Sequence, residues 1–228
     1  MRKLLMTLPF LLPLPALAQE APRQITVTAE GQVTAAPDMA TVTLGVITEG
    51  ETGAQALAAN SERMTRVLAA LEADGIAPAD MQTSGLSVSP RWRQATAAGQ
   101  REITGFVASN MVTVRVRELG ALGGVLDGVM KQGGNSFRGV QFGLADGSAL
   151  MDEARRAAVA EARARAALYA EAAGVDLGDL LSLSEAGSYR PQPRMMEAAM
   201  ARDSVPIAEG ELTLSATVTL VYEIKDAE

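Results

Sequence analysis

Neither histidine nor cysteine occurs anywhere in the 228-residue sequence. Without imidazole the chain loses the commonest general base, the Ser-His-Asp and Cys-His nucleophile systems, and the usual zinc and copper ligand. Without thiol it forms no disulfide and carries no lipid on an N-terminal cysteine, so a chain of this length has to rely on its apolar core. Aromatic residues are scarce, at 4% with one tryptophan, and the formal net charge is −7. Such a chain lacks the clustered positive charge that phosphate affinity needs, which argues against nucleic acid as a partner. Long apolar runs are missing as well. The best candidate, Leu4 to Leu17, is short and broken by Pro9, Pro13 and Pro15, so no transmembrane segment is expected.

That run reads instead as a secretory signal peptide over residues 1–18. Arg2 and Lys3 precede it, and Ala16-Leu17-Ala18 forms an A-x-A cleavage site before Gln19. The remainder, residues 19–228, is expected to be a single soluble α+β domain, more acidic still once Arg2 and Lys3 are gone.

What is present is alanine in a regular place. From Ser148 to Gly174, Ala154, Ala158, Ala162 and Ala166 follow Met151 and precede Tyr169 and Ala173, a helical spacing that leaves one narrow small-residue face. A sheet can approach such a face closely. Asp152 and Glu153 are assigned to the first turn, Gly174 to the C-cap, and Glu161 pairs with Arg165 one turn on.

Strict alternation marks the strands. Ile25, Val27 and Ala29 share a face, with Gly31 marking a bulge or a close backbone contact. Ala40, Val42, Leu44 and Val46 share another, and the two strands are expected to pair across a Pro37-Asp38 turn. Thr52 and Gln55 form a capping box for a helix to about Asp74, with Leu57, Met64, Leu68 and Leu71 on its apolar side. Strands follow at Leu86 to Trp92 and at Phe106 to Val116, joined by a loop over 95–100. A glycine-weakened helix spans Leu119 to Gln132. Further strands lie at Val140 to Leu144, at Leu180 to Leu183, and at Leu212 to Ile224. The Pro- and Met-rich stretch 186–206 keeps no period and reads as a mobile loop. The order β-β-α-β-β-α-β-α-β-β implies a largely antiparallel sheet with helices packed on one face.

Several segments taken together resemble the SIMPL-domain family of exported bacterial proteins. They are VTAEGQVTAAPDMATVTLGV, GIAPADMQTSGLSVSPRW, GFVASNMVTVRV, LDGVMKQGGNSFRGVQF, EARRAAVAEARARAALYAEAAGVDLGDLLSLSE and VPIAEGELTLSATVTLVYEI. The resemblance implies an α+β SIMPL-type domain and a periplasmic address. The family's biochemical activity is not established, so the resemblance carries over no catalytic residues, and no cofactor is expected. Some members assemble into large rings and some are tied to oxidative-stress tolerance, which makes a homo-oligomer, or an envelope protein as partner, the expected association.

Candidate chemistry is thin. Asp38, Asp80 and Asp127 are the carboxylates considered for glycosidase-type acid/base work, but turn and surface roles explain Asp38 and Asp80 better. Lys131 and Lys225 have no serine partner in sequence, and the glycines from Gly120 to Gly128 form no phosphate loop. Met195, Met196 and Met200 are soft thioethers suited to Cu(I), or to use as an oxidant sink, or to adaptable contact. Trp92 between Arg91 and Arg93 marks a contact site if exposed and a core residue if buried. The leading expectation is a non-enzymatic, self-associating envelope protein. Long edge strands need covering, and the 186–206 loop is placed to reach a neighbour. The alternatives are a ligand or Cu(I) carrier working through the methionine loop, and a carboxylate-dependent envelope hydrolase.

Overall fold

Alternating apolar and hydroxyl side chains build the strands, and each helix begins and ends where local chemistry allows. The computed structural model describes residues 23–94, 101–186, 192–194 and 208–226. In chain order the elements are β1 (Gln24–Ala35), β2 (Met39–Gly50), α1 (Gly53–Ala73), β3 (Met81–Gln94), β4 (Arg101–Val116) and α2 (Leu122–Lys131). They continue with β5 (Ser136–Gly143), α3 (Ser148–Ala173), β6 (Val175–Ala186), β7 (Gln192–Arg194) and β8 (Glu211–Asp226). This is the expected order with one addition, β7, which falls inside the stretch read as a loop and pairs with Glu211 to Thr213. The signal-peptide residues lie outside the described residues.

The strands form two antiparallel four-stranded sheets. One has the order β1-β8-β6, with β7 also on β8, and the other has the order β3-β4-β2-β5. The expected β1–β2 hairpin is not formed. β1 pairs with β8 along its whole length, Gln24 with Glu223 through Ala35 with Leu212, while β2 pairs with β4 and β5. Alternation specifies a strand and its buried face but not its neighbour. Pro37-Asp38 also lacks the Asn-Gly type of turn that closes a tight hairpin. Residues 39–143 therefore supply the whole second sheet, inserted between β1 and the rest of the first.

Each sheet has its own core. Ala40, Val42, Leu44 and Val46 of β2 meet Val112, Val114 and Val116 of β4 beneath α1 and α2. The Thr52–Gln55 capping box is formed, with Thr52 Oγ1 accepting from the Gln55 nitrogen at 3.2 Å and Gln55 Oε1 from the Thr52 nitrogen at 3.1 Å. The buried face of α1 is Ala56, Asn60, Met64, Val67 and Leu71, rotated from the expected one, so that Leu57 is left partly exposed. Asn60 is wholly buried; its Nδ2 donates to the carbonyls of Val46 at 2.8 Å and Ala108 at 3.1 Å, fastening α1 across β2 and β4.

In the other core, Met151, Ala154, Ala158, Ala162 and Ala166 of α3 lie on Val27, Ala29, Leu214, Ala216, Val218 and Leu220. The stripe holds a four-residue spacing to Ala170, whereas Tyr169 and Ala173 are exposed. No acidic residue sits in the first turn, since Ser148 starts the helix and puts Asp152 in the second. Gly174 closes it in the left-handed conformation, φ 67°. Alanine is needed because β1 comes within backbone contact: a Cβ on Gly31 would overlap the Ala154 carbonyl oxygen and the Ala158 nitrogen.

Gly31→Ala is thus expected to destabilise the fold by about 3 kcal/mol, because rigid helix backbone has to move to admit the methyl group. At Gly124, on α2, the space around the missing Cβ is open. Gly124→Ala is expected to stabilise by about 0.5 kcal/mol through helix propensity. Urea unfolding of both variants checks the contrast.

Candidate functional site

Two places combine exposure with chemistry: a cleft around Asp80, and a strip along the β3–β4 hairpin. The cleft forms where α1 ends and β3 begins, beside the last residues of β4. It encloses about 360 Å³ among Asp74, Ile76, Asp80, Arg115, Arg117 and Glu118. Pro78 opens a single 3₁₀ turn that presents Asp80. Arg117 grips that carboxylate with both arms of its guanidinium, Nε to Oδ2 at 2.8 Å and Nη2 to Oδ1 at 2.8 Å, while Arg115 Nη1 stands 4.0 Å from Oδ1. The hydrogen bonds from Arg117 lower Asp80 from the ordinary carboxylate value, against the opposing effect of burial, and the pairing raises Arg117 in turn. A carboxylate kept ionised and forked onto an arginine is poorly suited to give or take protons near neutral pH.

Asp38 has a different task. The chain crosses between its two sheets twice, after β1 and after β5, and Asp38 ties the crossings together. Its backbone nitrogen donates to the Gly143 carbonyl at 3.1 Å, and its Oδ1 accepts from the Ala145 nitrogen at 2.6 Å. Asp127 stands exposed on α2, apart from Asp38 and Asp80. Lys225 pairs with Asp179 at 3.6 Å. Met195, Met196 and Met200 lie outside the described residues, as does the 95–100 loop. Among the described residues no cluster of three or more acidic side chains could hold a metal ion.

The strip is apolar. On the α1 side of the second sheet, Leu86, Val88 and Pro90 of β3 stand opposite Asn110, Ala108 and Phe106 of β4, and past a register shift Trp92 stands opposite Ile103. Leu86 is 59% exposed, Val88 41%, Trp92 53% and Ile103 47%. Four large apolar side chains half in water on one hairpin form a patch, unlike single apolar residues scattered over a surface. The arginines beside Trp92 are paired off: Arg91 with Glu49, and Arg93 with Glu102 at 3.2 Å. Trp92 therefore falls in the exposed one of its two sequence readings. β3 is an outer strand of its sheet, so among the described residues its far edge carries no partner strand. The sequence marked the alternation at Leu86 to Trp92 but not that no helix covers it.

The SIMPL family model, described as a protein of unknown function (DUF541), matches residues 25–222. The chain is 40% identical to the 26 kDa periplasmic immunogenic protein of Brucella melitensis, over 93% of this chain and 91% of that one. It is 30% identical to the uncharacterized protein YggE of Edwardsiella ictaluri, over 83% and 80% of the two chains. It is 32% identical to the uncharacterized protein YggE of Escherichia coli K12, over 78% and 72%.

The Asp80 pair sets a pH dependence. A carboxylate whose folded pKa is lowered contributes stability above its unfolded pKa, about 3.9, and that contribution fades as pH falls through the lower folded value. Asp80→Asn is expected to be less stable than the parent chain at pH 5–7, with the gap narrowing below about pH 4. Thermal unfolding across that range reads it, and a gap independent of pH contradicts the assignment.

Proposed function

We propose, from the premise that this chain belongs to the SIMPL family, that it is an exported periplasmic protein that acts by contact and not by catalysis. Its contacts include copies of itself. The address is supported by the signal-peptide pattern of residues 1–18 and by the Brucella relative, whose name places that protein in the periplasm. The observation that carries self-association is the strip of Leu86, Val88, Trp92 and Ile103 beside an open strand edge. An edge of this length offers unpaired N–H and C=O groups, and apolar side chains next to it reward whatever covers them. Support for envelope tolerance to oxidants, which the family resemblance implies, belongs to the same reading. Its physiological test is survival of a deletion strain under peroxide.

Light scattering on the 19–228 chain after size-exclusion chromatography tests the contact. The expected result at micromolar concentration is a mass above that of one chain. Leu86→Glu with Trp92→Glu is expected to return the monomer with an unchanged circular-dichroism spectrum. A parent chain that is monomeric there overturns self-association.

A further inference from the structure

A second uncovered edge has a different chemistry, and it belongs to the sheet that carries α3. On α3, Arg155 points toward β6, its Nε 3.1 Å from both carboxylate oxygens of Glu185, and Arg165 points the other way, its Nη1 2.9 Å from the Thr28 carbonyl of β1. Val159 and Arg163 follow Arg155 at successive turns and so share the β6 flank, with Arg156 and Ala160 just outside them. An open groove of about 360 Å³ runs along this flank, lined by Arg155, Arg156, Val159, Ala160 and Arg163. Beside it β6 packs on the α3 core only near its start, through Leu177, and its far end is held by the Glu185–Arg155 pair; from Asp179 onward every residue is exposed, and Leu180, Leu181 and Leu183 stand about half in water. Leu180 and Leu183 stand opposite Tyr222 and Leu220, which places them on the α3 side of the sheet. Among the described residues no strand pairs with the outer edge of β6.

The helix flank therefore overhangs the place where one more strand would lie. Arg156 and Arg163 have no ion-pair or hydrogen-bond partner among the described residues, although the chain as a whole is acidic. A strand entering there has the β6 edge for its backbone, the leucines and Val159 for its apolar side chains, and two free guanidinium groups for anionic ones. We infer that the α3–β6 edge is a docking site for an extended segment of a partner protein that alternates apolar and acidic residues, bound by strand addition to β6. Charge complementarity selects that occupant. The site is separate from the β3 strip and does not depend on self-association through it.

The test uses the 19–228 chain and a fluorescein-labelled nine-residue peptide of alternating Glu and Val, followed by fluorescence anisotropy. Three results are expected together. The peptide binds saturably, and the analogue with Lys for Glu binds at least tenfold more weakly. The analogue N-methylated at alternate residues, which keeps every side chain but loses strand pairing, also binds at least tenfold more weakly. Arg156→Glu with Arg163→Glu, both exposed and checked for an unchanged circular-dichroism spectrum, reverses the preference between Glu and Lys peptides. Equal binding of all three peptides, or binding untouched by the arginine changes, overturns the site. Failure of the Glu peptide to bind overturns it too. So does a shift of the double variant's mass in light scattering without peptide binding, which assigns the edge to a second copy. Arginine-dependent binding of phosphatidylglycerol vesicles in place of the peptide assigns it to a lipid surface. The Leu86→Glu, Trp92→Glu chain is expected to bind the peptide as the parent does, so loss of self-association and loss of this site read out separately.

Discussion

A helix covers about two strands of a sheet and no more, because its diameter is about 10 Å and strands lie about 4.8 Å apart. The second sheet is four strands wide and the first three, since β7 lies on the same side of β8 as β6, and this mismatch shapes the rest of the molecule. In the second sheet the helix-covered core is centred on β2 and β4, and α1 meets β3 beside Val88, which leaves Leu86 and Trp92 of β3 in water. In the first, α3 alone lies over β1 and β8, so the uncovered strand is β6. Each of these strands starts with an apolar residue packed on its core, Met81 in β3 and Leu177 in β6, and then runs out into water with half-exposed leucines. The exposed apolar surface follows from the helices' limited reach and the sequence's failure to turn polar beyond it.

How closely a helix can sit matters as much as how far it reaches. Over β1 the alanine stripe and Gly31 bring backbone to backbone, which fixes α3 along one line and leaves its flanks to chance contacts on either side. One flank finds Thr28 through Arg165, and the other finds Glu185 through Arg155. Past Arg155, among the described residues, the second flank packs through Val159 on the core and then faces the edge of β6. In the inserted sheet the equivalent fixing is polar: buried Asn60 bonds two strand carbonyls, and Thr48 Oγ1 donates to the Ala56 carbonyl at 2.7 Å. Asp38 then binds the two crossings to each other, so that the sheets are joined at one narrow place.

Much of this was legible in the residues. The alanine stripe, the Thr52–Gln55 box, the Glu161–Arg165 pair at 2.8 Å and the buried faces of β2, β4 and β8 follow from spacing alone, because each depends on neighbours within one or two turns. The division into two sheets was not legible. β1 and β8 are separated by almost the whole chain, and nothing in β1 names its partner over β2, since both alternate in the same way. Asn60 was missed because a lone asparagine in a helix reads as surface. The uncovered state of β3 and β6 was missed for a related reason: alternation shows which side chains share a face and cannot show where a helix stops covering it. Met195, Met196 and Met200 remain a sequence expectation, since they lie outside the described residues.

Chemically, two of the three carboxylates that sequence raised are occupied in holding structure, Asp80 in the fork of Arg117 and Asp38 on the backbone of Ala145, while Asp127 stands exposed on α2 away from both. What is left available is edge. The proposed contacts run through these unfinished sheets, and the account stands on those edges being completed in solution. Hydrogen–deuterium exchange of the 19–228 chain, compared between dilute and concentrated samples, measures that directly. The account predicts that the outward-facing amides of β3, those not bonded to β4, exchange fast when dilute and become protected on concentration, while those of β2 and β4 stay protected in both. β3 amides that exchange equally fast at both concentrations would contradict it.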